Sequence, residues 1–407
     1  MRATTRRMSQ ARPGTLSAML LSMNAPSSAL RCLCVNAGSS SLKLAVYQVD
    51  ADEETRLDAA TAVEIGRPES AVQINGKRSS WTLPNHAVAL DVLLSHLMPT
   101  RLDAVGHRVV HGGNHAAPER VVPAFLQRLE GLLALAPLHN PPALDGIRVV
   151  GARLPGLPQV ACFDTAFHST LPELARTLPL PRRFREHNVR RYGFHGLSYE
   201  YITRRLGARV NGRVVIAHLG NGASLAALSD GRSIETTMGM TPTGGVMMGT
   251  RPGDLDPGTL LYLLRDMGLG IGELEHVLDQ ESGLRGVSGK TADMATLLTL
   301  DDPDARLAVD LFAYHVRKAV GALAAVLGGL NRLVFTGGIG EHAASVRSAV
   351  CRGLEHLGIV LDPTANAVDA EQISIAQSRC AVNVIPTDED AMIARHVYEV
   401  LRADNGL

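Results

Sequence analysis

Apolar and polar positions follow two rhythms along this chain. The stretch "LRCLCVNAGSSSLKLAVYQVD" (30–50) runs apolar, then Gly/Ser, then apolar again, which predicts two strands joined by a small polar turn. "GRVVIAHLGNGASLAALSDGRSIETT" (212–237) has the same design, with "LGNGAS" at the turn and "SDGR" closing a further hairpin. Strand, glycine turn, strand thus recurs after about 180 residues. A repeat on that scale predicts two related halves facing each other. Between them, "QVACFDTAFHSTLP" (159–172) reads as a short strand entering a polar loop, and the Pro-rich "LPLPRRFREH" after it places a boundary near residue 165.

In the last third the period lengthens. Residues 302–330 predict one long helix stopped by Gly328-Gly329. "NRLVFTGGIGEHAASVRSAVCRGLEHLG" (331–358) predicts a β-branched strand, a glycine loop and a helix with Val346, Val350, Leu354 and Leu357 on one face. "AVNVIPTDEDAMIARHVYEVLRADN" (381–405) predicts a strand and then a helix, with Thr387 and Asp390 as a capping box and Ile393, Val397, Val400 and Leu401 as the buried stripe. Strands alternating with helices make the class α/β.

Composition narrows the function classes. A length of 407 residues suits two domains, each able to bury its own core. The formal net charge is zero and no long basic run appears, which argues against nucleic acid or an anionic membrane as partner. No apolar run approaches the roughly 20 residues of a membrane helix. The five cysteines (Cys32, Cys34, Cys162, Cys351, Cys380) are scattered, with no CxxC pair, and fit a reducing cytoplasm. No Asp or Glu precedes Asp50, while Arg2, Arg6, Arg7 and Arg12 lead into "LSAMLLSM". A transit peptide has this bias, but no clear cleavage site follows. The expectation is a disordered extension over 1–29, or an overlong start with Met23 as the true initiator.

Candidate chemistry begins with phosphate loops. "GLRGVSGKTADM" (283–294) ends its glycines in Gly-Lys-Thr, yet the glycine that a Walker A loop requires falls on Leu284. It reads as an exposed Gly/Ser turn. "FTGGIGEH" (335–342), between strand and helix, is better placed to offer N–H groups to anionic oxygens, and "HLGNGAS" (218–224) and "NAGSSS" (36–41) are similar tight turns. His107, His111 and His115 have the spacing of a zinc helix, but "GHRVVHGGNH" reads as a strand entering a turn, and no HExxH glutamate is present. Arg108, in that strand, and Arg251, in "MMGTRPGDLDPG", stand near glycine turns, where two arginines could clamp a transferring phosphoryl group.

Taken in order, "VNAGSSSLKL", "GHRVVHGG", "FDTAFH", "RYGFHGLS", "HLGNGASL", "MMGTRPGDLDPG", "FTGGIGE" and "IPTDEDAMIAR" resemble the acetate kinase family from about residue 32 to 396. The resemblance implies two duplicated ribonuclease-H-like domains of the actin-like ATPase superfamily, with an active-site cleft between them. It implies domain I over 30–165 plus 388–407 and domain II over 166–387. The implied reaction is reversible transfer of the ATP γ-phosphoryl group to acetate, giving acetyl phosphate and ADP. Mg²⁺ is the implied ion, with Mn²⁺ as an alternative, in a cytoplasmic homodimer. The resemblance also assigns residues. Asn36 and Glu389 would hold the metal, with Ser39, Ser41 and Lys43 near the phosphates. Arg108, Asp164, His195 and Arg251 would be catalytic. His218, Leu219, Gly220, Asn221, Gly222, Asp293, Gly337, Gly338, Ile339, Gly340 and Glu341 would line the nucleotide. Val110, Leu138, Phe194 and Pro242 would form the methyl pocket beside Arg108.

The chain departs from the family pattern at Gly244 (usually Glu), Pro252 (usually Ser), His342 (usually Asn) and the Asp388-Glu389-Asp390 run (usually Asn-Glu-Glu). Ala295 stands where an arginine near the nucleotide is usual, so Lys290 or Arg285 would have to supply that charge. Propionate or butyrate kinase, a pyrophosphate-using relative, and a non-enzymatic ATP-dependent clamp are the competing readings. Retention of the acyl-side cluster argues against the clamp.

Overall fold

The computed structural model describes residues 29–404, apart from 75, 98–100 and 138. Residues 1–28, which carry the expected extension and Met23, and the pocket candidate Leu138 lie outside the described residues.

The repeat read from the strand–turn–strand pattern extends to the whole sheet topology. In the first half, β1 (Leu30–Ala37), β2 (Leu42–Val49) and β3 (Glu54–Val63) form an antiparallel meander. Strands β6 (Ala104–Val109) and β8 (Gln159–Phe163) then join β1 in parallel, giving the order β3-β2-β1-β6-β8. In the second half, β9 (Arg213–Leu219), β10 (Ala223–Ser229) and β11 (Arg232–Thr236) repeat the meander. Here β12 (Arg332–Thr336) and β13 (Ala381–Val384) repeat the parallel pair, in the order β11-β10-β9-β12-β13. The two sheets match strand for strand. The first is widened by β4 (Ala71–Ile74) and β5 (Lys77–Ser80) on one edge and by β7 (Glu119–Arg120) on the other. This is a duplicated ribonuclease-H-like architecture.

The central strands are largely apolar, with polar residues mostly toward their ends, because helices cover both faces. Leu33 and Val35 of β1 pack under the helix His86–Leu97, while Cys32 and Cys34 on the opposite face meet the C-terminal helix Glu389–Asp404. A β-carbon on Gly106 would lie 2.4 Å from Ile393 Cγ2, so only glycine lets that helix seat on β6. In the second half, the long helix Pro303–Leu327 covers one face of the sheet, and Tyr199, Ile202 and Leu206 of the helix Gly196–Leu206 cover the other. The last helix in sequence therefore belongs spatially to the first sheet.

Two local expectations need correction. Asp388, rather than a Thr387–Asp390 box, caps the C-terminal helix, accepting from Ala391 N at 3.0 Å. The Thr387 hydroxyl is drawn away to Ser198 Oγ at 2.9 Å. The "GLRGVSGKT" stretch is no exposed turn: Gly283–Ser288 is helical and Leu284 is buried in the second core. Gly283 has φ +64, and a β-carbon there would sit 2.2 Å from Met248 O. Its glycine answers to close packing, not to phosphate. By contrast, the long helix ends as read, with Gly328 left-handed at φ +70.

Candidate active site

The parallel strands of each sheet end toward the same region, where a doubly covered sheet leaves its loops free to bind. From the first sheet, Arg108 near the end of β6 reaches Asp164, just beyond β8. Arg108 Nη2 donates to Asp164 Oδ2 at 2.7 Å and Nε donates at 3.1 Å, a forked charge-assisted pair. Asp164 is 1% exposed, and burial, opposed by Arg108, pushes its carboxyl up to about 6. Arg108 Nη1 lies 3.7 Å from Glu389 Oε2.

Three carboxylates crowd the start of the C-terminal helix, and their surroundings separate them. Asp388 is committed: it accepts from Tyr47 Oη at 2.8 Å and caps the helix. Asp390 is half-buried, and desolvation with Glu389 and Asp388 nearby pushes it up to about 6. Burial works against charge on Glu389 too, but Arg108, His218 and Lys43 pull its pKa below the ordinary value. Among the described residues, no hydrogen bond engages the Glu389 carboxylate or the Asn36 amide at the end of β1. Two hard oxygen donors free of hydrogen bonds fit Mg²⁺, which keeps most of its waters and takes only one or two protein carboxylates. No group of three or more His, Cys, Asp or Glu placed to hold a metal occurs among the described residues.

From the second half comes His195, at φ +58, immediately before the helix Gly196–Leu206. This left-handed turn is locked to the first half, because Gly196 N donates to Asp164 O at 2.8 Å. His195 Nδ1 bonds Ser224 Oγ at 2.7 Å, and Ser224 Oγ meets Tyr199 Oη at 2.6 Å. The ring stacks on His218 with centroids 4.3 Å apart. Burial, then His218, Arg108 and Arg251, hold the His195 pKa well below the ordinary value, so the imidazole is neutral. Arg251 Nη1 donates to Pro242 O at 2.6 Å. A β-carbon on Gly222 would lie 2.8 Å from Arg251 Nη2 and 3.2 Å from His195 Nε2, so this glycine lets both side chains close on the 220–222 turn. The structure thus gathers Arg108, Asp164, Glu389, His195 and Arg251 around one point between the halves.

The two second-half glycine loops adjoin each other. Thr336 pairs with His218 in the β12–β9 register, and a β-carbon on Gly337 would meet Leu219 O at 2.8 Å. Residues Gly337–His342 form a short helix rather than an open loop. Glu341 ties it down, its Oε1 accepting from Gly337 N at 2.8 Å and from Thr387 N at 3.1 Å. Asp293 stands apart as the cap of a short helix, with its carboxylate taken by Thr296 N at 2.9 Å. Lys290 is paired with Asp302 at 3.2 Å, which spends the charge proposed as a substitute for the missing arginine. The three histidines of "GHRVVHGGNH" go separate ways: His107 to Gln159, His111 to Met240 O and His115 to Glu119.

Phe194 and partly buried Val110 pack into the second core. Pro242 and Arg251 line a cavity of about 590 Å³, with His139 and Asn221 on its wall. Sequence reasoning missed His139, whose pKa burial, Arg251 and Arg108 push down to about 4. It also gave no site role to Ser198, Ser224 and Thr387, although each lies within a quoted motif, or to Tyr199. Arg347 escaped notice as well: fully buried, it donates to Gly340 O at 3.0 Å and Glu341 O at 2.9 Å, holding the end of the glycine helix. The sequence signal available was an arginine set between apolar Val346 and Val350 in the predicted helix.

Two matched ribonuclease-H-like sheets, with paired arginines and neutral imidazoles between them and glycine loops beside, define a phosphotransferase of the actin-like ATPase superfamily. The Acetokinase family model matches residues 31–395. An acetate kinase from Rhodopseudomonas palustris is 49% identical over 395 residues, covering 92% of this chain and 98% of that protein. The crystal structure of Porphyromonas gingivalis acetate kinase aligns with TM-score 0.83 and 36% identity over 91% of this chain and 100% of that one. A propionate kinase structure from Francisella tularensis aligns with TM-score 0.85 and 34% identity over 90% and 98%. The chain belongs to the acetokinase family.

Proposed function

We propose that this protein reversibly transfers the γ-phosphoryl group of ATP to acetate, giving acetyl phosphate and ADP. One observation carries the reading: Arg108, Arg251 and neutral His195 converge on the gap between the two halves. Acetate is already an anion at neutral pH, so the reaction needs no strong base. Its demand is neutralisation and in-line positioning of two negative partners. Arg251 and Arg108 supply the charge. Asp164, bidentate on Arg108, fixes the guanidinium plane and acts as an orienting group. Tyr199 Oη, Ser224 Oγ and His195 Nδ1 form a chain that, with Tyr199 donating, leaves Nε2–H of His195 free to donate to a phosphoryl oxygen. Asn36 and Glu389 would hold Mg²⁺, whose charge offsets that of the phosphates when it is bound. The loops at 218–222 and 337–341 would take the nucleotide, and Val110, Phe194 and Pro242 the methyl group. We place the domain division at 30–165 with 388–407 against 166–387, closing around these groups in a cytoplasmic homodimer.

Propionate is the second acceptor to weigh, because the 590 Å³ cavity beside Pro242 leaves room beyond a methyl group and a propionate kinase aligns well. One methylene is worth only about 1–3 kcal/mol of discrimination. Steady-state kinetics with acetate, propionate and butyrate against ATP, GTP and pyrophosphate, trapping the acyl phosphate with hydroxylamine, tests both readings. Highest kcat/KM for acetate with ATP is the expected result. Tight ATP binding without turnover on any short carboxylate would refute it.

A further inference from the structure

Behind the catalytic layer lies a second, smaller cavity of about 180 Å³, whose walls include His115, Thr165, His168, Arg176, Arg190 and Arg191. Its charge is unbalanced. Arg191 is structural: it donates to Thr236 O at 2.6 Å and Ala175 O at 3.1 Å, and Glu235 lies 3.5 Å away. Arg176 and Arg190 are not spent in this way. Arg176 Nη2 donates to Ser169 O at 2.6 Å, and Arg190 Nη2 donates to Asn114 Oδ1. Neither forms an ion pair among the described residues, and each guanidinium has five N–H donors to place. His115 is already paired with Glu119, and burial pushes His168 down to about 4, so that ring adds no charge. Two half-buried cations sharing one small cavity repel each other unless an anion joins them.

The cavity also touches the catalytic residues from behind. Thr165 follows Asp164 in sequence and accepts from Gly112 N at 3.1 Å. His168 Nε2 bonds the carbonyl of Phe194, the residue before His195, at 3.0 Å. Tyr192 in the same wall packs edge-on against His111, which packs in turn against Phe194. A ligand drawing in Arg176 and Arg190 would therefore press on the segments that set Asp164 and His195.

We propose that this cavity is an effector site for a compact phosphate-class oxyanion, held by Arg176 and Arg190 and felt by the catalytic layer through Thr165 and His168. The volume corresponds to roughly six waters at about 30 Å³ each, enough for inorganic phosphate or a small phosphomonoester and too little for a nucleotide. Guanidinium pairs suit such oxyanions because they donate in a planar fork. The site stands independently of the acceptor assigned above; only its kinetic readout uses that activity, and a wild-type enzyme inactive on acetate both with and without phosphate would signal failure of the acceptor assignment instead.

The test compares the full-length wild type with Arg176→Ala/Arg190→Ala and Arg176→Lys/Arg190→Lys variants. Equilibrium dialysis with labelled inorganic phosphate is run under saturating ATP, which blocks phosphoryl positions in the cleft. One phosphate should persist in the wild type, bind about tenfold or more weakly in the alanine variant, and recover at least partly in the lysine variant. Turnover without phosphate should stay within about twofold in the alanine variant, while added phosphate should shift kcat of the wild type only. Phosphoserine in place of phosphate identifies whether the free ion or a monoester binds better. Equal phosphate binding by wild type and alanine variant, complete displacement by ATP, or a wild-type kcat indifferent to bound phosphate would each overturn the proposal.

Discussion

The two halves share a topology and divide the chemistry unequally. At the ends of β6 and β8 the first half sets Arg108 and Asp164 as an ion pair, with Glu389 at the edge of the pair. Around the ends of β9 and β12, the counterparts of β1 and β6, the second half offers glycine turns, backbone N–H groups and two stacked neutral histidines, with Arg251 added from a loop. The first half carries fixed charges that are paired as they are buried; apart from Arg251, the second offers dipoles that need no counter-ion. Duplicated sheets therefore do not imply duplicated sites. What differs is the short segment after each strand, where packing leaves side-chain choice open.

Substitutions can break this contrast at several depths. The largest effect is expected for Arg251→Ala, since an arginine on a transferring phosphoryl group is worth about 10³-fold or more in rate. Asp164→Ala should cost less in kcat, because it misorients Arg108 without removing the cation; a larger loss at Asp164 in parallel steady-state assays would reverse that order. Glu389→Gln should raise the Mg²⁺ concentration for half-maximal rate about tenfold or more with little change in acetate KM, as a metal titration would reveal.

The electrostatic side of the contrast gives a pH prediction. Asp164, pushed up to about 6, releases its grip on Arg108 as it protonates. The kcat/KM profile should therefore fall below an apparent pKa near 6, with no limb from His195, which is already neutral. Asp390 is pushed to the same range, so the limb should vanish in Asp164→Asn and survive in Asp390→Asn. For stability the sign is opposite: a folded-state pKa above the unfolded one makes this group's contribution decline as pH rises between about 4 and 6. A pH series of denaturant melts should show that slope diminished in Asp164→Asn.

Smaller effects probe the joint between the halves. Thr387→Val removes one hydrogen bond to Ser198, worth about 1 kcal/mol, and should raise the ATP KM several-fold while leaving acetate KM unchanged. Ala295→Arg should lower the nucleotide KM modestly, because Lys290 is tied to Asp302; identical KM values in the two proteins would dispose of that idea.

Legibility in the sequence followed locality. The strand–turn–strand repeat, the long helix with its Gly328 stop and the final strand–helix pair were readable, since period and turn chemistry act within a few residues. The motif residues of the candidate site were readable through family resemblance. Those that hold them were not: Ser198, Ser224 and Thr387 are ordinary polar residues until folding brings 20 to 189 positions together. The stretch "GLRGVSGKTADM" misled because glycine serves close packing as readily as phosphate. Only the fold showed which need Gly283 meets.

By itself, then, the sequence determined the α/β class, the duplication and the glycine turns, because hydrophobic period and backbone freedom are written residue by residue. The tertiary structure alone decided which of Asp388, Glu389 and Asp390 is held below its ordinary pKa beside Arg108, why His195 is neutral, and where Arg176 and Arg190 meet. Those properties depend on burial and on neighbours distant in the chain, and a carboxylate or imidazole acquires its charge state only from the surroundings that folding assembles.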